Sequence, residues 1–130
     1  MSNPSTSSKA KIVVADDDLD LCELLEMKLR QSNYDVVTAM DGLQALKVVR
    51  AVQPNLVILD IMMPLMTGME VLRQLKAESA TAHIPIILMT AKRQETDVNS
   101  GFALGVVDYI VKPFNLKYLV LQVQSVISGT

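Results

Sequence analysis

The chain has 130 residues, half of them hydrophobic and a fifth charged, which is the size and apolar content of one globular domain with a real core rather than a disordered chain. A formal net charge of −2 and a pI near 5.3 carry no basic excess, which argues against binding nucleic acid or an anionic membrane through this segment. The lone Cys22 cannot form an intrachain disulfide and fits a reducing compartment, and no apolar run is long enough to span a bilayer.

The opening MSNPSTSSKAK has Ser, Pro and Asn where a signal peptide needs an apolar stretch. A short disordered tail over residues 1–10 of a cytoplasmic protein is therefore expected, followed by one domain over 11–128 and a two-residue tail, 129–130. Within that domain short apolar runs alternate with amphipathic segments. KIVVA (11–15), DVVTA (35–39), NLVIL (55–59), PIILMT (85–90) and VDYIV (107–111) read as strands.

Between the first two, Leu21, Leu24, Leu25 and Leu29 recur at helical spacing, with Glu23, Glu26 and Arg30 off that face. The second helix follows Asp41, a helix-capping residue, and stacks Ala45, Leu46 and Val49. TGME opens the third, with Thr67 and Glu70 at capping-box spacing ahead of Val71, Leu72 and Leu75. A fourth helix, QETDVNSGFALG (94–105), has poor intrinsic propensity and only Val98, Phe102 and Ala103 to anchor it, so it is the helix expected to move. The last, 115–128, presents Leu116, Leu119, Val120, Val123, Val126 and Ile127 to the core.

Five strands alternating with helices specify an α/β fold with a parallel sheet covered on both faces. In such sheets ligands bind beyond the carboxyl ends of the strands. Here the first strand runs into Asp16, Asp17 and Asp18, the third into Asp60, the fourth ends at Thr90-Ala91 and the fifth runs into Lys112-Pro113-Phe114; only the second ends blandly. Several carboxylates, a hydroxyl and an ammonium would thus gather at one sheet edge. Carboxylates so close repel one another, which raises their pKa values or holds a cation. With oxygen ligands and no Cys or His among them, Mg²⁺ is the natural ion, in a site suited to handling phosphoryl groups. Lys112 and Thr90 would neutralise and hydrogen-bond phosphoryl oxygens, and Asp60, at the centre, is the candidate nucleophile.

KIVVADDDLD, NLVILDIMMPLMTG, IPIILMTA and VVDYIVKPF, in this order and spacing, closely resemble the receiver domain of two-component response regulators. The resemblance extends from Lys11 to Ser128. It implies a flavodoxin-like doubly wound sheet in the order 2-1-3-4-5, and a phosphoacceptor role for Asp60 toward a histidine kinase or a histidine phosphotransfer protein. It also implies Mg²⁺ held by Asp17, Asp60 and the backbone carbonyl of Met62, with Asp16 on a metal-bound water. Thr90 and Lys112 would bind phosphoryl oxygens, Tyr109 would turn inward on activation, and the Lys112-Pro113 peptide would be cis. A receiver of this kind is no conventional enzyme, but promotes its own phosphorylation and slow dephosphorylation. The chain departs from the family habit at Val106 and Val107, where many receivers are more polar, and at Tyr118 and Leu121, off the buried stripe of the last helix. These suggest a pairing surface made by the fourth helix, fifth strand and last helix. Because the chain ends soon after the last helix, no output domain is expected within it.

Asp18 and Asp20 serve best as helix-capping and dipole-favouring residues, and His83 as an exposed loop residue rather than a phosphodonor. Thr90, Lys112 or Tyr109 could each be structural when taken singly. An aspartate-nucleophile phosphatase would need a second acid where Met62 stands. A flavin module would need a glycine-rich loop where three aspartates would repel phosphate. A pseudo-receiver, binding partners without phosphorylation, would have little reason to keep the whole set of groups.

Overall fold

β-branched and aliphatic runs form one parallel sheet: β1 (Lys11–Ala15), β2 (Asp35–Ala39), β3 (Leu56–Asp60), β4 (Ile86–Ala91) and β5 (Asp108–Lys112). The computed structural model describes residues 9–91 and 103–129. Within them run four helices: α1 (Leu19–Gln31), α2 (Gly42–Val52), α3 (Gly68–Ala77) and α4 (Leu116–Ser128). The helix predicted over 94–105 lies largely outside the described residues. The strand order is β2-β1-β3-β4-β5, as expected, so the direction of winding reverses between β1 and β3.

Register brings the strand ends level. Ala15 pairs with both Ala39 and Leu59, Asp60 with Met89, and Ala91 with Lys112. β3 runs one residue further than predicted because the ladder continues past Leu59, with the Ile61 amide donating to the Met89 carbonyl at 3.1 Å. β4 starts at Ile86 because Pro85 has no amide to donate, although its carbonyl still accepts from Val57 at 3.0 Å.

The sheet separates two apolar layers. Val13, Val57, Leu59 and Leu88 pack with α2 and α3, while Ile12, Val14, Ile58 and Met89 pack with α1 and α4. Burial at about 25 cal/mol per Å² of apolar surface makes these layers the main source of stability. On α1, Leu25 and Leu29 are buried as expected, but Leu24 is 42% exposed. Cys22, one turn before Leu25, takes the inward place instead. Val106 likewise proves to be a core residue, 6% exposed, so only Val107 adds apolar surface there.

Helix starts follow the local chemistry of the sequence. Asp18 accepts from the Leu21 amide, Asp41 from Gln44 and Asn115 from Tyr118, each relieving an amide that the first turn leaves unpaired. Thr67 and Glu70 form a complete capping box, with the Glu70 amide on the Thr67 hydroxyl and the Thr67 amide on the Glu70 carboxylate. At the outer strand β2, Arg30 is held by Glu26 at 3.0 Å and donates to the Val36 carbonyl at 3.0 Å. No described helix is long and apolar enough to cross a membrane.

Candidate functional site

β1 delivers Asp16 into the crevice and buries it to 1% exposure. Three contacts fix it: its amide donates to the Ala39 carbonyl at 3.1 Å, its Oδ1 accepts the Asp18 amide at 2.9 Å, and its carbonyl accepts the Cys22 thiol at 3.2 Å. Burial, then the Asp16 charge, pushes the Cys22 thiol up to about 11, so it stays a neutral donor. Asp17 follows and is exposed. Across the β1–β3 pair Asp60 ends its strand at 6% exposure, and oxygen atoms of Asp16, Asp17 and Asp60 lie within 4.8 Å of one another.

Lys112 closes the group from the end of β5. Its Nζ lies 2.7 Å from Asp16 Oδ2 and 3.4 Å from Asp60 Oδ2, and the peptide to Pro113 is cis, as the resemblance implies. Burial disfavours the ammonium, but the two carboxylates outweigh it and lift the Lys112 pKa above the ordinary lysine value. For Asp60 the balance runs the other way. Burial, followed by repulsion from Asp16, raises its pKa to about 6 against the opposing pull of Lys112 and the Met62 amide. Three carboxylates against one ammonium leave an uncompensated negative charge at the crevice.

That electrostatic excess fits a cation. All the clustered donors are oxygens, which suits a hard divalent ion, and exposed Asp17 keeps one side open to water.

The structure thus brings Asp16, Asp17, Asp60 and Lys112 together. Thr90, 1% exposed, stands in β4 one residue before Ala91, the register partner of Lys112, and its hydroxyl donates to the Ala91 carbonyl at 3.0 Å. Tyr109 is half-buried and packs against the α2–α3 side of the core. Met62 offers its amide to Asp60 while its side chain is 60% exposed. His83 is exposed, and Asp18 caps α1 rather than joining the cluster.

Sequence reasoning passed over Gly68. A Cβ there would lie 2.1 Å from the Asp60 carbonyl oxygen, and the Gly68 amide donates to Ile61 at 2.8 Å. The first residue of α3 therefore rests directly on the end of β3. The signal available was a glycine opening a helix just after the Thr67 cap, where a side chain would ordinarily be tolerated.

A family model described as the response regulator receiver domain matches residues 12–124. The chain is 44% identical over 117 residues to the DNA-binding response regulator MtrA of Mycobacterium tuberculosis (strain ATCC 25618 / H37Rv), covering 90% of this chain and 50% of that protein. It is 42% identical over 123 residues to the probable transcriptional regulator ycf27 of Cyanophora paradoxa, covering 95% of this chain and 50% of that protein. The chain therefore spans about half the length of these curated relatives. Among solved structures it is similar to the chemotaxis protein CheY4 of Vibrio cholerae, with a TM-score of 0.85 at 30% identity, covering 92% of this chain and 99% of that one. It is also similar to the receiver domain of a signal transduction histidine kinase from Syntrophus aciditrophicus, with a TM-score of 0.85 at 29% identity, covering 93% and 92% of the two chains.

Proposed function

Because the chain belongs to the response regulator receiver domain family, we propose that it accepts a phosphoryl group on Asp60 from a phosphohistidine of a sensor kinase or phosphotransfer protein. The observation that carries this reading is the placing of Asp60, buried at a strand end with Lys112 Nζ 3.4 Å from its Oδ2 and two further carboxylates close by. In the transfer a carboxylate oxygen of Asp60 attacks phosphorus, the P–N bond breaks, and the imidazole leaves with its electron pair. An acyl phosphate remains on Asp60.

Lys112 holds a positive charge where the phosphoryl oxygens gather, and Thr90, at the end of the neighbouring strand, supplies a hydroxyl to them. Asp16 keeps Lys112 aimed into the crevice. Asp17, Asp60 and the Met62 carbonyl are the groups that would hold Mg²⁺, with Asp16 on one of its waters. Bound there, the ion supplies charge neutralisation for the carboxylates and the incoming phosphoryl oxygens. The added phosphate brings about 1.5 to 2 negative charges, which biases β5, Tyr109 and the segment before them toward a second arrangement.

Intact mass after incubation with a small-molecule phosphodonor tests the reading. One hydroxylamine-labile phosphoryl group per chain is expected with Mg²⁺ and none with chelator. Labelling that ignores chelation, or no labelling in either case, would overturn it.

A donor must also dock. An apolar groove lined by Leu21, Leu24, Pro113, Phe114 and Leu116 opens beside Lys112 and suits the apolar face of a donor helix. Val107 and Val111 at β5 and Tyr118 and Leu121 on α4 are exposed apolar residues suited to pairing of phosphorylated copies. Sedimentation of the beryllofluoride-treated protein is expected to give a dimer that Leu121→Glu disperses. A monomer throughout the micromolar range would assign that strip another role.

Met62 sets the expected lifetime of the phosphoprotein. Its exposed thioether two residues after Asp60 offers a hydrolytic water no strong hydrogen bond. Met62→Asn is expected to speed loss of phosphate by about tenfold, since a positioned polar group can orient the attacking water. Equal decay in both proteins would show that this side chain is not limiting.

A further inference from the structure

Gln122, on α4, reaches the sheet with one atom and makes two bonds with it. Its Nε2 donates to Asp108 Oδ2 at 2.9 Å and to the Tyr109 carbonyl at 3.2 Å. The other carboxylate oxygen of Asp108 accepts the Tyr109 amide at 2.8 Å. Asp108 and Gln122 together therefore engage both main-chain polar groups of Tyr109.

The orientation of the amide is not free. Both partners are acceptors, so nitrogen must face them and oxygen must face away. Gln122 Oε1 is accordingly buried, and it finds no donor among the described residues. A buried acceptor without a donor costs the state that contains it. The joint between α4 and β5 thus combines two bonds that hold with one defect that favours opening.

We propose that Gln122 is a positioning residue for Tyr109, a latch that keeps the start of β5 on α4 in the resting domain and opens when β5 shifts. The proposal rests on the receiver reading of the site. Asp108 and Lys112 are the two ends of one five-residue strand, so latch and phosphoryl-binding ammonium are joined by about 13 Å of hydrogen-bonded backbone. A displacement of Lys112 toward a new anion is carried along that strand to Asp108. The orphaned oxygen lowers the cost of letting go there.

Two replacements of similar length and good helix propensity separate a latch from ordinary packing. Gln122→Met removes both donor bonds together with the defect, whereas Gln122→Arg keeps donors toward Asp108 and has no acceptor to orphan. In the unphosphorylated protein, amide exchange at Tyr109 and Ile110 is expected to quicken about tenfold in the Met variant, the worth of two lost hydrogen bonds less that of the relieved defect, and to slow in the Arg variant. Both rates are corrected for global stability by denaturant unfolding. Labelling by a small phosphodonor with Mg²⁺ should follow the same order, faster for Met and slower for Arg. A side chain that only packs would alter stability and leave the corrected exchange and labelling unchanged. That result, or a shift of both variants in one direction, overturns the latch. If wild type takes no label at all, the receiver chemistry fails while the exchange measurement still decides the latch.

Discussion

Asp60→Asn is expected to take no phosphoryl group and, in chelator at neutral pH, to be more stable than the wild type. The first outcome follows from losing the carboxylate proposed to attack phosphorus, since no other acid of the cluster stands at the end of β3. The second follows from what that carboxylate costs when no phosphoryl group or ion is present. Burial and the Asp16 charge raise its pKa from 3.8 to about 6. Folded protein therefore binds more protons than unfolded protein between these values, and stability falls as pH rises through that window. Above it, ionised Asp60 costs of the order of 2 to 3 kcal/mol.

An amide of the same shape avoids that charge, and Lys112 retains its 2.7 Å partner Asp16. The gain should be of the order of 1 to 2 kcal/mol near pH 7.5 and vanish below about pH 4, where the wild-type carboxyl is protonated in both states. Mg²⁺ should narrow the difference by stabilising the wild type more than the variant. Denaturant unfolding at several pH values, with chelator and with Mg²⁺, measures all of this. A variant less stable than the wild type in chelator at neutral pH would mean that the Lys112 contact outweighs the burial of the charge.

Gly68→Ala carries the largest expected loss of stability. Its Cβ would fall 2.1 Å from the Asp60 carbonyl oxygen and 2.8 Å from Ile61 Cα, both backbone atoms that no rotamer change can move. Either α3 lifts from the sheet or the end of β3 is displaced. Overpacking of this kind costs about 3 kcal/mol or more. Because the nearest of these atoms is the carbonyl oxygen of Asp60 itself, phosphoryl labelling should fall by about 10²-fold even where the protein remains folded, as misplacement of a reacting group by an ångström does. The denaturant midpoint and the labelling rate of the folded fraction test the two parts. Wild-type values for both would mean that the segment from Ile61 to Thr67 yields without strain.

The contrast between Asp60 and Gly68 marks how far the sequence could be read. Asp60, Lys112 and the Asp16-Asp17 pair were legible because polar residues at the ends of apolar runs must meet at one edge of a parallel sheet. The caps at Asp18, Asp41 and Thr67 were legible from their neighbours in sequence and the parallel sheet from the crossover rule, whereas the strand order came only with the family resemblance. Close approach between Gly68 and the Asp60 carbonyl depends on how far α3 sinks onto β3, and no local pattern encodes that depth. Leu24 and Cys22 changed places for a related reason. Both fit a helical stripe, and only the way α1 packs against β1, β2 and α4 decides which of them faces inward. Gln122 had no sequence signal at all, being one polar residue among apolar ones, and its partners lie in a strand that precedes it.

The outer side of β2 has one further consequence. An open sheet margin is a row of unused carbonyl and amide groups on which a stray strand can add, and unbranched growth of that kind leads to fibres. Exposed Val37 lies on this margin and gives an intruder apolar surface to grip. Arg30, steadied by Glu26, already occupies the neighbouring Val36 carbonyl with its guanidinium. Any added strand must therefore displace a charge-assisted bond and crowd a cation before it can align. One side chain on α1 thus sets a cation and a competing bond against the addition of a strand at this margin.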